Sequence, residues 1–274
     1  SYGTYRLPPT AIDKFSPTVV ACICQHRQEF GQQPEEKTNY VGLRKPFLAK
    51  LPPGKSLLIY EYYRGVRHTP HYSPHAIAAD LRSLKGISLG DMIDVTRDGP
   101  KTYEKEGYTS LTRMSVQHLD LYVTGRCYWD ADLDVDALLE EYYQGFYGPA
   151  AAEMKALVEF GEANWMTIVG DPKKIDTTLR LLKAAQDKVD PKTVYGKRIA
   201  LIADYLRPLE RLREQGKIER VNVPELIVDD RTGKTIAVDG KLDDPFWQNG
   251  HMWSRGTLKG IVTGGKPKFG TRFV

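Results

Sequence analysis

The sequence predicts an α/β fold in which parallel strands alternate with helices, followed by a helical segment and a strand-rich final segment. Three observations predict it. Residues 1 to about 95 repeat a short apolar or β-branched run, a polar loop and a helix-compatible stretch. From Leu111 onward, apolar residues recur every three to four positions, which is the helical period. After Gly216 the composition shifts to Val, Pro, Asp and Gly, as in strands and turns.

The first part contains four candidate strands and two candidate helices. The runs at 19–24 and 57–60 are continuously apolar, as expected for parallel strands that are covered on both faces. Four such strands make half of a (β/α)8 barrel or a small open sheet. The predicted strands are residues 2–6, 18–24, 57–62 and 86–95, and the predicted helices lie near 45–51 and 75–84.

The helical segment begins with apolar residues on one face, among them Met114 and Leu121. A cluster of aspartates follows and is interpreted as helix caps, with Asp134 or a neighbour capping the next helix. The cluster lacks the Gly and the distal Glu of a calcium loop. Gly148 and Pro149 end one helix and begin another, and further helices are predicted over 150–169, 175–187 and 195–214.

Composition narrows the function classes. Lys and Arg number 39 against 35 Asp and Glu, without a long block of either sign, so a nucleic-acid partner is not predicted. No apolar run reaches the length of about 18 residues expected of a membrane helix. The three cysteines support neither a disulfide framework nor a zinc site with four ligands, and no cofactor is predicted. The 16 Tyr and 4 Trp suit packing or sugar-stacking surfaces.

The longest recognisable motif runs from Leu119 through Tyr128-Trp129-Asp130 to Phe146-Tyr147-Gly148-Pro149-Ala150-Ala151. It resembles a bacterial family long known as a domain of unknown function and placed near α-glucuronidases and hexosaminidases. Some members of that family are classed as endo-β-N-acetylglucosaminidases that act on complex N-glycans. The resemblance covers roughly residues 1–165. It implies that residues 1–110 form the C-terminal half of a glycosidase-like (β/α)8 barrel, with a helical segment at 111–218.

A second resemblance lies near the other end, in Val238-Asp239-Gly240-Lys241-Leu242-Asp243-Asp244-Pro245-Phe246-Trp247. This stretch is similar to the opening of a family 9-type carbohydrate-binding β-sandwich. It implies that residues 219–274 begin such a sandwich, whose sugar-facing strands would follow Val274. The chain starts and stops inside aromatic, strand-like stretches, at 2–6 and 271–274, so both ends are expected to be cut. The two resemblances imply a secreted, periplasmic or cell-surface protein, although the first residues carry no secretory signal.

Strand ends supply the candidate site residues, because (β/α)8 barrels carry their working residues at the carboxyl ends of the strands and in the loops that follow. Glycoside cleavage needs a carboxylic acid that protonates the leaving oxygen and a second group that stabilises or attacks the reacting carbon. Glu61 and Asp91 are the predicted catalytic carboxylates. The predicted substrate-binding residues are Tyr5, Arg6, His26, Arg27, Tyr60, Tyr62, Tyr63, Arg64, His68 and His71.

Two alternatives remain open for Glu61. It could be a buried ion-pair partner of Arg64 or of a neighbouring strand. Alternatively, the hexosaminidase-like relatives imply a substrate-assisted mechanism whose two carboxylates precede Ser1, in which case Tyr60, Glu61, Tyr62 and Asp91 only line sugar subsites. The pair His68 and His71 could bind a metal, but Pro70 and the lack of a third ligand favour a hydrogen-bonding or loop role.

The predicted function is that of a glycoside hydrolase acting on complex glycans, either β-N-acetylglucosaminidase-like or α-glucuronidase-like. Its expected partner is an oligosaccharide or polysaccharide substrate. The alternatives are a non-catalytic glycan-binding or cell-surface scaffold protein, and an inactive fragment. A half barrel would leave the apolar edges of its outer strands open, which favours aggregation unless other segments cover them.

Overall fold

The computed structural model describes residues 6–63, 69–95 and 110–217, with the backbone alone at 110–113 and 215–217. These residues belong to one compact unit, Ser1–Arg220. The unit is a mixed α/β structure that is rich in helix and contains a small parallel sheet. The predicted α/β class is thereby confirmed.

The sheet consists of three parallel strands in the order β1 (Cys22–Gln25), β2 (Leu57–Tyr62) and β3 (Ser88–Asp94). The register pairs Gln25 with Glu61, and Tyr62 with Asp94. Since all three strands run in the same direction, their carboxyl ends meet at one edge of the sheet. This carboxyl edge carries most of the predicted site residues.

The two faces of the sheet differ in burial. On one face, which we call the covered face, Ile23, Leu57 and Ile59 are fully buried and pack with Leu43 and Phe47 of the first long helix. On the opposite face, which we call the open face, the alternate residues of β1 and β2 remain half-buried. Leu89 and Met92 of β3 are 66% and 53% exposed. The described residues therefore cover this parallel sheet on one side only.

Two helices connect the strands: α1 (Pro34–Lys50) follows β1, and α2 (Pro74–Ser83) follows β2. Both begin with proline in the first turn, where its fixed φ suits the helix and its missing N–H is not needed. Pro46 lies inside α1 and faces solvent, so water can satisfy the carbonyl that its missing N–H leaves free.

In the part of the chain that the structure describes, five further helices form a bundle beyond the sheet. They are α3 (Ser110–Trp129), α4 (Val135–Tyr147), α5 (Ala151–Asn164), α6 (Pro172–Asp187) and α7 (Val194–Lys217). Their core includes Leu119, Met154 and Leu206, and it continues into the buried face of α2 through Ile77. The Asp134 side chain accepts hydrogen bonds from the amides of Asp136 and Ala137, which confirms its prediction as a helix cap.

Several predicted boundaries were wrong. The strand predicted over 18–24 begins only at Cys22, because Val19 and Val20 are exposed. They follow a turn at 17–18 that the Val19 amide closes on the Ser16 carbonyl. The helix predicted near 45–51 begins much earlier, at Pro34. The helix predicted over 150–169 ends at Asn164 and is followed by a separate short turn at Ile168–Gly170.

Other sequence predictions fall outside the described residues. They are the first strand at 2–6, of which only Arg6 is described and is not in a strand, and the β-sandwich opening at 238–247. Within the described ranges, no helix has both the length and the apolar character needed to cross a membrane.

Candidate functional site

Charged and polar side chains gather on the covered face, between the sheet and helices α1 and α2. They are almost completely shielded from solvent and are joined to one another by hydrogen bonds or ion pairs. We call this group the Arg27 cluster, and its members are Gln25, Arg27, Arg44, Glu61, Asp80 and Asp91.

Arg27 is the centre of the cluster and is fully buried. Its Nε lies 3.1 Å from Oε1 of Glu61 and 3.0 Å from Oδ2 of Asp80, and its Nη1 pairs with Asp91. Its backbone amide also donates to Oε2 of Glu61, at 3.1 Å. Arg27 therefore joins strands β2 and β3 to α2 from its position just after β1.

Gln25 and Arg44 complete the network. The Gln25 Nε2 donates to Glu61 at 2.7 Å and to Asp80 at 2.8 Å, while its Oε1 accepts from Nη2 of Arg44 at 3.0 Å. The same Arg44 nitrogen lies 2.5 Å from Oδ1 of Asp80. Each polar atom of the Gln25 side chain is thus engaged, which lets the amide remain in the interior without loss.

The cluster holds three carboxylates against two guanidinium groups. Burial raises the pKa of Glu61 to about 8, and the neighbouring Arg27 offsets this only in part. The excess carboxylate favours the same outcome, because retaining one proton leaves the buried group neutral. Glu61 therefore combines a raised pKa, as a general acid needs, with a side chain that is 0% exposed.

Asp91 lies beside Ile59 in the register, and therefore on the covered face as well. Its Oδ2 pairs with Arg27 and accepts a hydrogen bond of 2.9 Å from the Tyr128 hydroxyl, and its side chain is 1% exposed. Both predicted catalytic carboxylates thus point toward the helices. Neither is open to a substrate in this arrangement.

The open face carries half-buried aromatic rings near the carboxyl edge. His26 stacks on Tyr62 with ring centroids 5.2 Å apart and planes at 21°, and Tyr60 meets Tyr62 edge-on at 4.9 Å. Tyr40 of α1 extends the group, since it lies 6.1 Å from His26 and carries the Arg6 guanidinium 4.3 Å above its ring. We call these five residues the aromatic face.

Two other predicted residues face the helical bundle. Tyr63 is fully buried, with its hydroxyl 3.0 Å from Thr124 and its carbonyl accepting from Gln117 at 2.5 Å. His71 stacks on Trp165 at 3.6 Å, and burial lowers the pKa of its imidazole to about 3. The structure does not bring either residue to the aromatic face. Tyr5, Arg64 and His68 lie outside the described residues.

A third group of polar contacts connects loops that the sequence did not link to one another. Asp120 of α3 is fully buried, accepts from the Ser73 amide at 3.0 Å, and accepts from the Gln28 side chain at 2.5 Å. Burial raises the pKa of Asp120 to about 7. This carboxyl therefore ties the loop after β1 to the start of α2.

His75, at the start of α2, lies between two acidic side chains. Its Nδ1 is 2.7 Å from Glu162 and its Nε2 is 3.1 Å from Asp136. The hydrogen bond to Glu162 raises the pKa of His75 to about 9. His75 and Glu162 line an open hollow of about 420 Å³, together with residues that include Phe30 and Lys37.

The sequence did not indicate that Arg44, Asp80, Asp120 and Tyr128 belong to these buried polar networks. They occupy helices rather than strand ends, and their side-chain partners in these networks are 19 to 92 residues away along the chain. The sequence did indicate part of the cluster, because Gln25 is the last residue of β1 and Glu61 is the second-to-last residue of β2. Among the described residues, no group of three or more His, Cys, Asp or Glu side chains could hold a metal ion.

Comparisons with known proteins place the chain in one family. No curated protein and no solved structure matches it. One family profile, described as "Domain of unknown function (DUF4838)", matches residues 1–158, which is more than half of the 274-residue chain. This chain therefore belongs to the DUF4838 family of domains of unknown function.

Proposed function

We propose that the chain is part of a glycan-acting protein of the glycoside hydrolase type, and that its aromatic face contacts sugar rings. The observation that carries the proposal is the group of His26, Tyr60 and Tyr62, whose rings pack together at the carboxyl edge of a parallel sheet. Aromatic rings with a polar tip provide both an apolar surface and a hydrogen bond, as a sugar requires. In α/β sheets, ligands bind at the carboxyl ends of the strands.

The (β/α)8 half barrel is part of this proposal. In the half barrel, the open face of the sheet would form the barrel interior and the covered face its helix-packed exterior. This assignment would explain why Leu89 and Met92 remain exposed, because further strands would close over them. A sugar-binding sandwich after residue 219 and a secreted, periplasmic or cell-surface location complete the proposal.

A non-catalytic glycan-binding protein is the second candidate, and a specific observation favours it. Glu61 and Asp91 are held by Arg27 on the covered face, with side chains 0% and 1% exposed. A glycosidase needs carboxylates on both sides of the scissile bond, so an enzyme of this type would have to draw them from other parts of the protein. The aromatic face serves either candidate.

Titration of the 274-residue chain with chitotriose, followed by NMR, tests sugar binding. We expect shifts at His26 and Tyr62, and Tyr62→Ala should weaken binding about threefold to tenfold because a stacking ring is lost. Tyr122→Ala is the matched control, since Tyr122 is also half-buried but packs against Tyr142 in the bundle. Binding that is absent, or that Tyr122→Ala weakens as much, would contradict the proposal.

A further inference from the structure

His26 lies between two buried anchors. It follows the last residue of β1, Gln25, and precedes a single helical turn, Arg27–Glu29. Gln25 and Arg27 are both 0% exposed on the covered face, whereas the ring of His26 stacks on Tyr62 of the open face. One short stretch of backbone thus joins the Arg27 cluster to the aromatic face.

The two anchors bind the same pair of carboxylates. Nε2 of Gln25 donates to Oε1 of Glu61 at 2.7 Å and to Oδ2 of Asp80 at 2.8 Å. Nε of Arg27 donates to the same Asp80 oxygen at 3.0 Å and lies 3.1 Å from Oε1 of Glu61 as an ion pair. The other Glu61 oxygen accepts from the Arg27 amide at 3.1 Å. The backbone on both sides of His26 is therefore fixed by Glu61 and Asp80.

Burial makes this arrangement stiff. Charge-assisted hydrogen bonds in the interior are stronger and more directional than those in water, and an ion left without its partner is strongly disfavoured. Glu61 accepts from two donors and also lies in an ion pair with Nε of Arg27, and Asp80 accepts from Arg44 as well. The set is preorganised, as a second layer behind a binding surface has to be.

We infer that Glu61 and Asp80 are positioning residues that hold His26 against Tyr62 by binding the residues on either side of it. The inference rests on the proposed function only in taking the aromatic face as the sugar-binding surface. Glu61 acts here through Gln25 and Arg27 and does not touch the substrate. Glu61→Gln keeps the size of the side chain but replaces one accepting oxygen with an NH2 group, which cannot accept from Gln25 Nε2 or from the Arg27 amide, so it should release the His26 ring.

The NMR spectrum of His26 in the full chain provides the test. In the wild type we expect ring-to-ring contacts between His26 and Tyr62, and slow hydrogen exchange of the Arg27 amide. Glu61→Gln should shift the His26 ring signals, remove those contacts and speed amide exchange at Arg27 at least tenfold. If Glu61→Gln fails to fold, Asp80→Asn should give the same changes more weakly, because it leaves the Arg27 amide bond intact.

Thr178→Val is the control, because Thr178 is fully buried but bonds only within α6. It should lower stability without changing the His26 signals. Unchanged His26 signals in both Glu61→Gln and Asp80→Asn would overturn the inference. The inference would also be overturned if Glu61→Gln lost hydrolysis of an aryl glycoside while His26 stayed in place, since that result would mark Glu61 as a catalytic acid. Failure of the wild type to bind chitotriose counts against the proposed function alone, because the His26 measurements need no sugar.

Discussion

Asp120 shows how burial changes a single residue. Its carboxyl is fully buried and meets two donors, the Ser73 amide and the Gln28 side chain, but no cation. Its pKa is raised from 3.8 to about 7, so the folded state holds a proton that the unfolded state releases at lower pH. This proton stabilises the folded state. The stabilisation is complete below about pH 3.8 and is lost as the pH rises through 7.

We predict that Asp120→Asn raises the free energy of unfolding at pH 8 by about 1–3 kcal/mol, because it removes the buried charge. The amide oxygen still accepts from Ser73. The amide nitrogen can donate to Oε1 of Gln28 after that side chain turns over, and this oxygen is buried without a hydrogen-bond partner among the described residues. Urea unfolding at pH 4 and pH 8 measures the effect.

Asp176→Asn makes the same chemical change at an exposed site of α6 and should leave stability nearly unchanged at both pH values. At pH 4 the Asp120→Asn protein should match the wild type. If Asp120→Asn lowered stability at pH 8, the ionised carboxylate would have to be the favoured form.

At the scale of the element, α5 depends on one glycine. A Cβ at Gly161 would lie 2.3 Å from the Pro70 carbonyl oxygen and 3.0 Å from Cδ2 of Tyr72. The helix therefore approaches the backbone of the loop before α2 more closely than any side chain permits. That approach allows Trp165, just after α5, to stack on His71.

We predict that Gly161→Ala destabilises the protein by about 1–3 kcal/mol, because the clash with Pro70 outweighs the usual helix preference for alanine. Gly125→Ala in α3 is the matched control, since its Cβ would meet nothing within 4 Å. That variant should be about 0.5–1 kcal/mol more stable than the wild type. Thermal unfolding of the two proteins should give changes of opposite sign, and equal changes would show that α5 lies farther from the loop.

At the scale of the whole molecule, three groups give stability the same dependence on pH. The pKa values of Glu61 and His75, like that of Asp120, are raised by folding, to about 8 and about 9 respectively. Each group stabilises the protein fully at pH values below its pKa in the unfolded state, near 4.5 for Glu61 and 6.5 for His75. That stabilisation is lost as the pH rises through the pKa of the folded state.

We therefore predict that the free energy of unfolding falls between pH 5 and pH 9, less steeply below about pH 6.5, where the lowered pKa of His71 acts in the opposite sense. Urea midpoints at pH 5, 7 and 9 provide the measurement. The decrease in the free energy of unfolding between pH 7 and 9 should be smaller in 0.5 M salt. The side chain of His75 is 44% exposed, so salt screens its interaction with the acidic partners. A profile that rises or stays flat over this range would contradict the prediction.

The sequence by itself determined the succession of strands and helices, the cap at Asp134 and the family motif in α3 and α4. These features are local: apolar periodicity and turn residues within a few positions encode them. Where local signals conflict, prediction was poorer. The helix predicted near 45–51 begins at Pro34, because Leu43 and Phe47 are buried against the sheet and the exposed Gly42 and Pro46 do not interrupt it.

Only the tertiary structure decided which face of β2 is covered. Both sides of the strand carry large rings or aliphatic chains, Leu57 and Ile59 on one and Tyr60 and Tyr62 on the other, so its sequence fits either orientation. The burial of Glu61 also depends on Asp80 and Arg27, which are far away along the chain. Ion pairs in the interior form where packing excludes water and brings distant charges together, and no local pattern encodes that packing.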